Sequence, residues 1–359
     1  FQEFLKLGEN LPIRIFQVVP GGLPVDAKFS NSKSLTLSQE KTAVKHPHVL
    51  GLGEVFSWTK VTLRESKTMK SISSMLECDC IINGHTAGAS DKKLNAYVSS
   101  GILSCHEPIN FDQVLERLRL GMWIMIREGS IRRDLNEIIP RVLSHGTYLN
   151  RLMFCSDGLD PLDITKFGHI DHCIRESIRH GLKPIDAITI ASKNNFDYYN
   201  MGKDLGGIAP GKLADILIFD DLKSFKPTKV FVGGKLIISN GRFVIPIKKK
   251  PIPSWIKKTV KLKNFSKNDF LIKSKKKNVL ANTIFMQSEI ITKLGSSELQ
   301  SINGNVPASL NSDVWKVAAF DRIHGTNRHS IGFLENFGAD IGAFASTWSF
   351  HENDLIVIG

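Results

Sequence analysis

The sequence predicts a parallel α/β fold, a (β/α)8 TIM-type barrel without its first strands. A small β-domain and a C-terminal α+β domain follow it. Three observations lead there. Short apolar runs alternate with helical patterns over residues 1–200, which argues for a parallel sheet covered by helices. Several of those runs end in a metal-capable side chain, as expected where strand ends converge on one rim of a barrel. After Asn200 the pattern changes to short strands joined by Gly and Asp turns. An open doubly wound sheet would carry a Gly-rich phosphate turn after its first strand, and none is readable. A barrel needs eight strands; six are legible, so two are expected upstream of Phe1.

The elements read in order as follows. Pro12–Val19 is a strand closed by Pro20-Gly21-Gly22, Ser38–Lys45 is helical, and His48–Glu54 is the next strand. A helix over Arg64–Glu77 leads to a strand at Cys80–His85. Ser90-Asp91 opens a helix to Ser100, and Ile102–His106 is a strand. Phe111–Leu120 has apolar residues at spacings of three and four, the mark of an amphipathic helix, and Gly121 ends it. Met122–Ile126 is a strand, Asp134–Leu143 a helix and Leu152–Ser156 a strand. Helices over Ile164–His180 and Pro184–Asn194 follow, the second with Pro at a permitted first position. Ala214–Phe219, Lys229–Val232 and Gly234–Ile238 are the short strands of the β-domain. The expected domains are 1–200, the barrel with strands three to eight; 201–245, the small β-domain; 246–277, a Lys-rich linker; and 278–359, mixing β and α signals.

Composition narrows the function classes. No apolar run approaches the roughly 18–20 residues that cross a bilayer, and the first residues lack the regions of a signal peptide. Cys78, Cys80, Cys105, Cys155 and Cys173 form an odd set without framework spacing, so buried, reduced thiols in a cytoplasmic protein are expected. The net charge of +12 is concentrated in Lys248–Lys250, Lys257-Lys258 and Lys275–Lys277. With few aromatics interleaved, such runs read as solvated loops, and no nucleic-acid partner is expected.

The strand ends carry the chemistry. Glu54 closes Gly51-Leu52-Gly53-Glu54, His85 closes Ile82-Asn83-Gly84-His85, His106 follows Leu103-Ser104-Cys105, and Asp157 follows Phe154-Cys155-Ser156. Imidazole and carboxylate together suit Zn, Fe or Mn, and two such ions can share a carboxylate. Glu107, beside a ligand position, is a candidate to hold substrate or to carry a proton. Arg127 and Glu128 end the next strand on the same rim and, with His169 beyond the last strand, are candidates for substrate contact.

The words around these positions resemble the bacterial and archaeal adenine deaminases of the amidohydrolase superfamily. They include Gly51-Leu52-Gly53-Glu54, Asn83-Gly84-His85-Thr86-Ala87-Gly88, Leu94-Asn95-Ala96-Tyr97 and His106-Glu107. Met125-Ile126-Arg127-Glu128-Gly129-Ser130, Phe154-Cys155-Ser156-Asp157, Gly168-His169-Ile170-Asp171-His172 and Gly207–Asp215 continue the match in the family's order. The resemblance implies that 201–245 belongs to a small β-sandwich domain beside the barrel, and that Glu54 bridges two divalent metal ions, Mn or Fe with Zn as a further candidate. It implies that His85 and His106 are the fifth- and sixth-strand ligands, and that Asp157 is the eighth-strand aspartate that binds metal and exchanges a proton. The implied reaction is hydrolysis of adenine to hypoxanthine and ammonia by metal-activated hydroxide, as part of purine salvage, in a soluble enzyme that can form homo-oligomers. Another amidohydrolase acting on a cyclic amide or amidine is the alternative, as is an inactive relative that binds nucleic acid through its basic linker.

Three departures accompany the resemblance. The family's His-x-His pair ends the first strand, whereas His46-Pro47-His48 precedes a strand and reads as a loop. The pair is therefore expected upstream, in a longer chain. Asp157 is followed by Gly158, where the family carries a second acidic residue. Ala345–Asp354 resembles a family segment with its polar order changed, which bears on substrate choice.

Overall fold

Apolar residues on both faces set β2 (Val49–Val55) inside a sheet, with Val49, Leu52 and Val55 all buried. This is the pattern of a parallel strand covered on two sides. It pairs in parallel with β1 (Gln17–Pro20) and β3 (Ile81–Gly84), in the order β1-β2-β3. A second parallel sheet has the order β4-β5-β6, from β4 (Ser104–Cys105), β5 (Trp123–Arg127) and β6 (Leu152–Cys155). The computed structural model describes residues 1–9, 11–22, 34–222, 224–247, 250–262, 264–288, 291–340, 342–347 and 354–359. The chain divides into two units, Phe1–Gly22 with Leu35–Lys250 and Leu23–Ser34 with Pro251–Gly359.

Each parallel sheet of the first unit has its own core. Val19, Leu52 and Ile82 pack with Ile72 and Met75 of the helix Ser66–Leu76 and with Tyr97 of the helix Asp91–Val98. Ile124, Ile126, Leu152 and Phe154 pack with Leu135, Ile138, Ile139 and Val142 of the helix Leu135–His145 and with Cys173. Polar side chains join the two sheets where β3 meets β4. The Gly84 N–H donates to Ser104 Oγ at 3.1 Å, and the Tyr198 hydroxyl lies 2.8 Å from Ser104 Oγ and 3.1 Å from Asn83 Oδ1. All three groups are buried, so these bonds satisfy atoms that would otherwise be costly to enclose.

Four antiparallel strands complete the unit in the order β10-β9-β8-β7: β7 (Ile216–Phe219), β8 (Pro227–Val232), β9 (Lys235–Ser239) and β10 (Arg242–Phe243). Arg14 reaches Asp215 at the foot of β7, with Nε 2.7 Å from Oδ2. In the second unit, six strands take the order β12-β11-β14-β13-β16-β15. They are β11 (Asn278–Met286), β12 (Thr292–Gln300), β13 (Val314–Asp321), β14 (His329–Glu335), β15 (Phe344–Ser346) and β16 (Asp354–Ile358). Only the β11–β14 pair is parallel. Among the described residues this unit contains short 3-10 turns but no α-helix, so the α part of the expected α+β domain is corrected. Its strands alternate buried and exposed positions, as in β11 with Ala281 and Thr283 inward, a period that suits one-sided packing and not a helix.

Other expectations are corrected locally. The run from Pro12 becomes a strand only at Gln17, where the Gln17 N–H finds His48 O and ladder pairing begins. A helix at Gln2–Gly8 precedes it. The helix expected over Ile164–His180 is two, Pro161–Phe167 and Ile170–Arg179, broken at Gly168 with φ 102°. All five thiols are free, but only Cys105 and Cys173 are buried, while Cys78 is exposed. Lys248 and Lys249 of the basic run, and residues 348–353 of the rearranged C-terminal segment, lie outside the described residues.

Candidate metal centre

Strand direction gathers the polar residues of the first unit. Glu54 is the penultimate residue of β2, and His85 and His106 directly follow β3 and β4. Arg127 ends β5, and Asp157 stands two residues past β6. Because parallel strands all point the same way, these residues share one rim. His46-Pro47-His48 forms a turn at the opposite end of β2 and takes no part.

Glu54, His85 and His106 each present a ligand atom within 4.8 Å of the others, and His106, Glu107 and Asp157 form a second such group. His106 belongs to both. Its Nε2 lies 2.9 Å from Glu54 Oε2 and 3.3 Å from Glu107 Oε1. His85 Nδ1 stands 3.5 Å from each of the same two oxygens, yet it is buried and makes no hydrogen bond. A buried ring nitrogen without a partner, aimed at two carboxylates, fits a cation between them.

The electrostatics agree. Burial would lower the His106 pKa, but hydrogen bonds to Glu107 and Glu54 outweigh it and raise the imidazole to about 10. The two carboxylates that hold a proton there also favour a metal ion, and ligation exchanges one for the other. Burial pushes the Glu107 carboxyl up, but His106, His85 and Arg127 outweigh it and keep it below its ordinary value.

Arg127 organises the acidic side of the rim. One Nη1 lies 2.6 Å from Glu107 Oε1 and 3.0 Å from Asp157 Oδ2, while Nε bonds Asp134 Oδ2 at 3.1 Å. Asp157 is the most open of the set, with its side chain 42% exposed. Its backbone is left-handed at φ 42°, and Gly158 follows at φ 85°. Left-handed φ at two successive positions favours glycine at 158, where most side chains would be strained. Gly129 lets this turn approach β5: a Cβ there would meet Ser156 O at 1.9 Å.

Two of the sequence candidates, Glu128 and His169, stand outside both groups. Glu128 Oε1 faces His172 Nε2 at 3.7 Å, and Glu128 Oε2 is buried without a hydrogen bond. Burial, partly offset by Arg133, lifts the Glu128 carboxyl to about 7. His169 Nε2 lies 3.4 Å from Ser156 Oγ, the residue before Asp157. Asp134, which pairs with Arg127, escaped the sequence reading, since it stands at the start of a helix, where capping is the ordinary role of an aspartate.

Residues 9–237 match the model of the Amidohydrolase family, and residues 289–359 match that of the Adenine deaminase C-terminal domain. The chain is 58% identical over 359 residues to an adenine deaminase of Cenarchaeum symbiosum, covering 100% of this chain and 59% of the relative. To an adenine deaminase of Kosmotoga olearia it is 32% identical, covering 99% and 61%. Thus the chain spans about three-fifths of the length of these curated relatives. A β-aspartyl dipeptidase of Fervidobacterium islandicum aligns with a TM-score of 0.47 at 19% identity, over 59% of this chain and 62% of that one. No helix among the described residues is long and apolar enough to cross a membrane.

Proposed function

Because the chain belongs to the amidohydrolase family, we propose that it carries the strand-end metal ligands of an adenine deaminase. The observation that carries this reading is the pair of three-residue groups sharing His106. Glu54, His85 and His106 would hold one divalent ion, with Asp157 as the further ligand near a second. Mn or Fe suits this imidazole and carboxylate set. When bound, such ions supply Lewis acidity and lower the pKa of water to roughly 7. On this reading the six parallel strands are strands three to eight of an eight-stranded barrel over 1–200. Residues 201–245 are its β-sandwich part, 246–277 the linker and 278–359 the C-terminal domain.

The chain's own residues would then divide the work. Deamination forms a C6–O bond from water and breaks the C6–N bond, and one water proton goes to the leaving amine while the other ends on the ring. Asp157, open to solvent and steadied by Arg127 at 3.0 Å, would take a proton from the attacking water oxygen and return it to the leaving amino nitrogen. Glu107, held by Arg127 at 2.6 Å, is the second proton carrier, facing the ring. Positioned acid–base groups of this kind contribute about 10²–10⁴-fold. Glu128 and His169, a shell further out, line the approach of the purine. Supplied with Mn²⁺ or Fe²⁺, the full-length product that carries this chain, with the expected His-x-His pair, should release ammonia and hypoxanthine from adenine. Metal bound through Glu54, His85 and His106 without any deamination would overturn the reading.

A further inference from the structure

Arg117 is a guanidinium 1% exposed in the helix Phe111–Arg119, and most of its hydrogen bonds go to neutral oxygens. Nε donates to Thr86 Oγ1 at 2.9 Å, Nη2 to Thr86 O at 2.9 Å and Ala89 O at 3.0 Å, and Nη1 to Gln113 O at 3.2 Å. The nearest carboxylate, Glu116, stands 3.4 Å away and is partly exposed. Burying a charge is costly unless its donors are engaged, and three of these donations end on the short segment directly after His85.

The bonds continue towards the next strand. Thr86 Oγ1 lies 2.8 Å from Cys105 Sγ, and Cys105 Sγ accepts the Glu107 N–H at 3.3 Å. Since Thr86 already accepts from Arg117, its own hydroxyl hydrogen is available to the sulfur. The residue after His85 is thereby joined to the residues on both sides of His106. A second tie comes from the helix Asp91–Val98. The Tyr97 hydroxyl accepts the His85 N–H at 3.0 Å and donates to Val55 O, the neighbour of Glu54. Tyr97, Thr86 and Cys105 are each 0% exposed, so water does not compete for these bonds.

We propose that Arg117 and Tyr97 are positioning residues that fix Glu54, His85 and His106 relative to one another before a cation arrives. Neither residue touches the ligand atoms. Tyr97 ties the backbone beside Glu54 to that of His85, and Arg117, through Thr86 and Cys105, ties the end carrying His85 to the end carrying His106. The inference rests on the metal-centre reading of the rim.

Equilibrium dialysis of the full chain against Mn²⁺, with thermal unfolding of the metal-free protein alongside, tests it. Tyr97→Phe removes one oxygen and keeps the ring, and Arg117→Lys keeps the charge but not the fork. Asn194→Ala serves as the matched control. It deletes buried bonds to Leu149 O and Leu152 O, both 2.8 Å, at the start of β6 and away from the rim. Tyr97→Phe and Arg117→Lys are each expected to weaken Mn²⁺ binding about 10–100-fold, the usual effect of losing an outer-shell partner. Asn194→Ala should lower the unfolding temperature with affinity unchanged. Equal affinity in all four proteins, or a loss in Asn194→Ala as large as in the other two, overturns the inference while leaving the metal centre standing. If the unsubstituted chain takes up no Mn²⁺, the metal-centre reading fails and the inference falls with it.

Discussion

Asp134 accepts a hydrogen bond from Arg127 Nε at 3.1 Å, with the two side chains 4% and 2% exposed. Arg127 Nη2 already lacks a hydrogen-bond partner, so the guanidinium has little pairing to spare. Removing one partner of a buried pair costs far more than the intact pair contributes. Asp134→Ala is expected to lose about 3–5 kcal/mol in urea unfolding. A loss below 1 kcal/mol would mean that Glu107 and Asp157 alone satisfy Arg127.

Glu128 gives stability a pH dependence of a definite sign. Its folded-state pKa is raised to about 7 by burial, with Arg133 opposing and Glu176 and Asp134 adding to the rise. A carboxyl whose pKa is higher in the folded than in the unfolded state binds its proton more tightly when folded. Stability is then greatest below the unfolded value of 4.5 and falls as pH rises towards about 7. The full effect is up to about 3 kcal/mol at 1.36 kcal/mol per unit. Glu128→Gln should therefore gain on the unsubstituted protein between pH 5 and 8. Parallel stability curves for the two proteins across that range would contradict it.

Asp157→Asn separates proton transfer from binding. Arg127 Nη1 can still donate to the amide oxygen, and Asn tolerates the left-handed backbone at this position. The expected outcome is a fall of about 10²–10⁴-fold in kcat, with the Glu54, His85 and His106 ligand set intact. Deamination at the unsubstituted rate would remove Asp157 from the reaction.

Gly129 tests the turn that carries Asp157. Its added Cβ would meet backbone, Ser156 O at 1.9 Å and Gly158 O at 2.8 Å, and backbone cannot swing aside as a flexible side chain does. Gly129→Ala is expected to cost about 1–3 kcal/mol, as overpacking does, and to lower activity further by displacing Asp157. Gly146→Ala is a fair comparison, because its Cβ would meet nothing within 4 Å while its φ of 68° carries the ordinary left-handed penalty. Similar losses in both would show that the contact with Ser156 is dispensable.

Much of the rim was legible in the sequence because apolar runs ended in Glu54, His85, His106 and Asp157 at strand spacing. The direction of a parallel strand then decides which end faces the site. What periodicity could not mark was the support behind the rim. Arg117 lies on a helix face that reads as amphipathic packing, and Tyr97 lies where an aromatic reads as core. Asp134 looks like the start of a helix and serves instead as the anion beneath Arg127. The break at Gly168 was hidden by the apolar spacing on both sides of it, and the second unit's β-sheet by short polar interruptions that resemble helix signals.

The left-handed turn at Asp157-Gly158 also limits how this part of the chain can drift. Glycine aside, the backbone at 157 accepts aspartate or asparagine with least strain, so most single replacements meet a conformational penalty as well as any chemical one. Glycine at 158 leaves its neighbour with no side chain on that flank of the turn, and a residue other than glycine, aspartate or asparagine there would meet the same penalty.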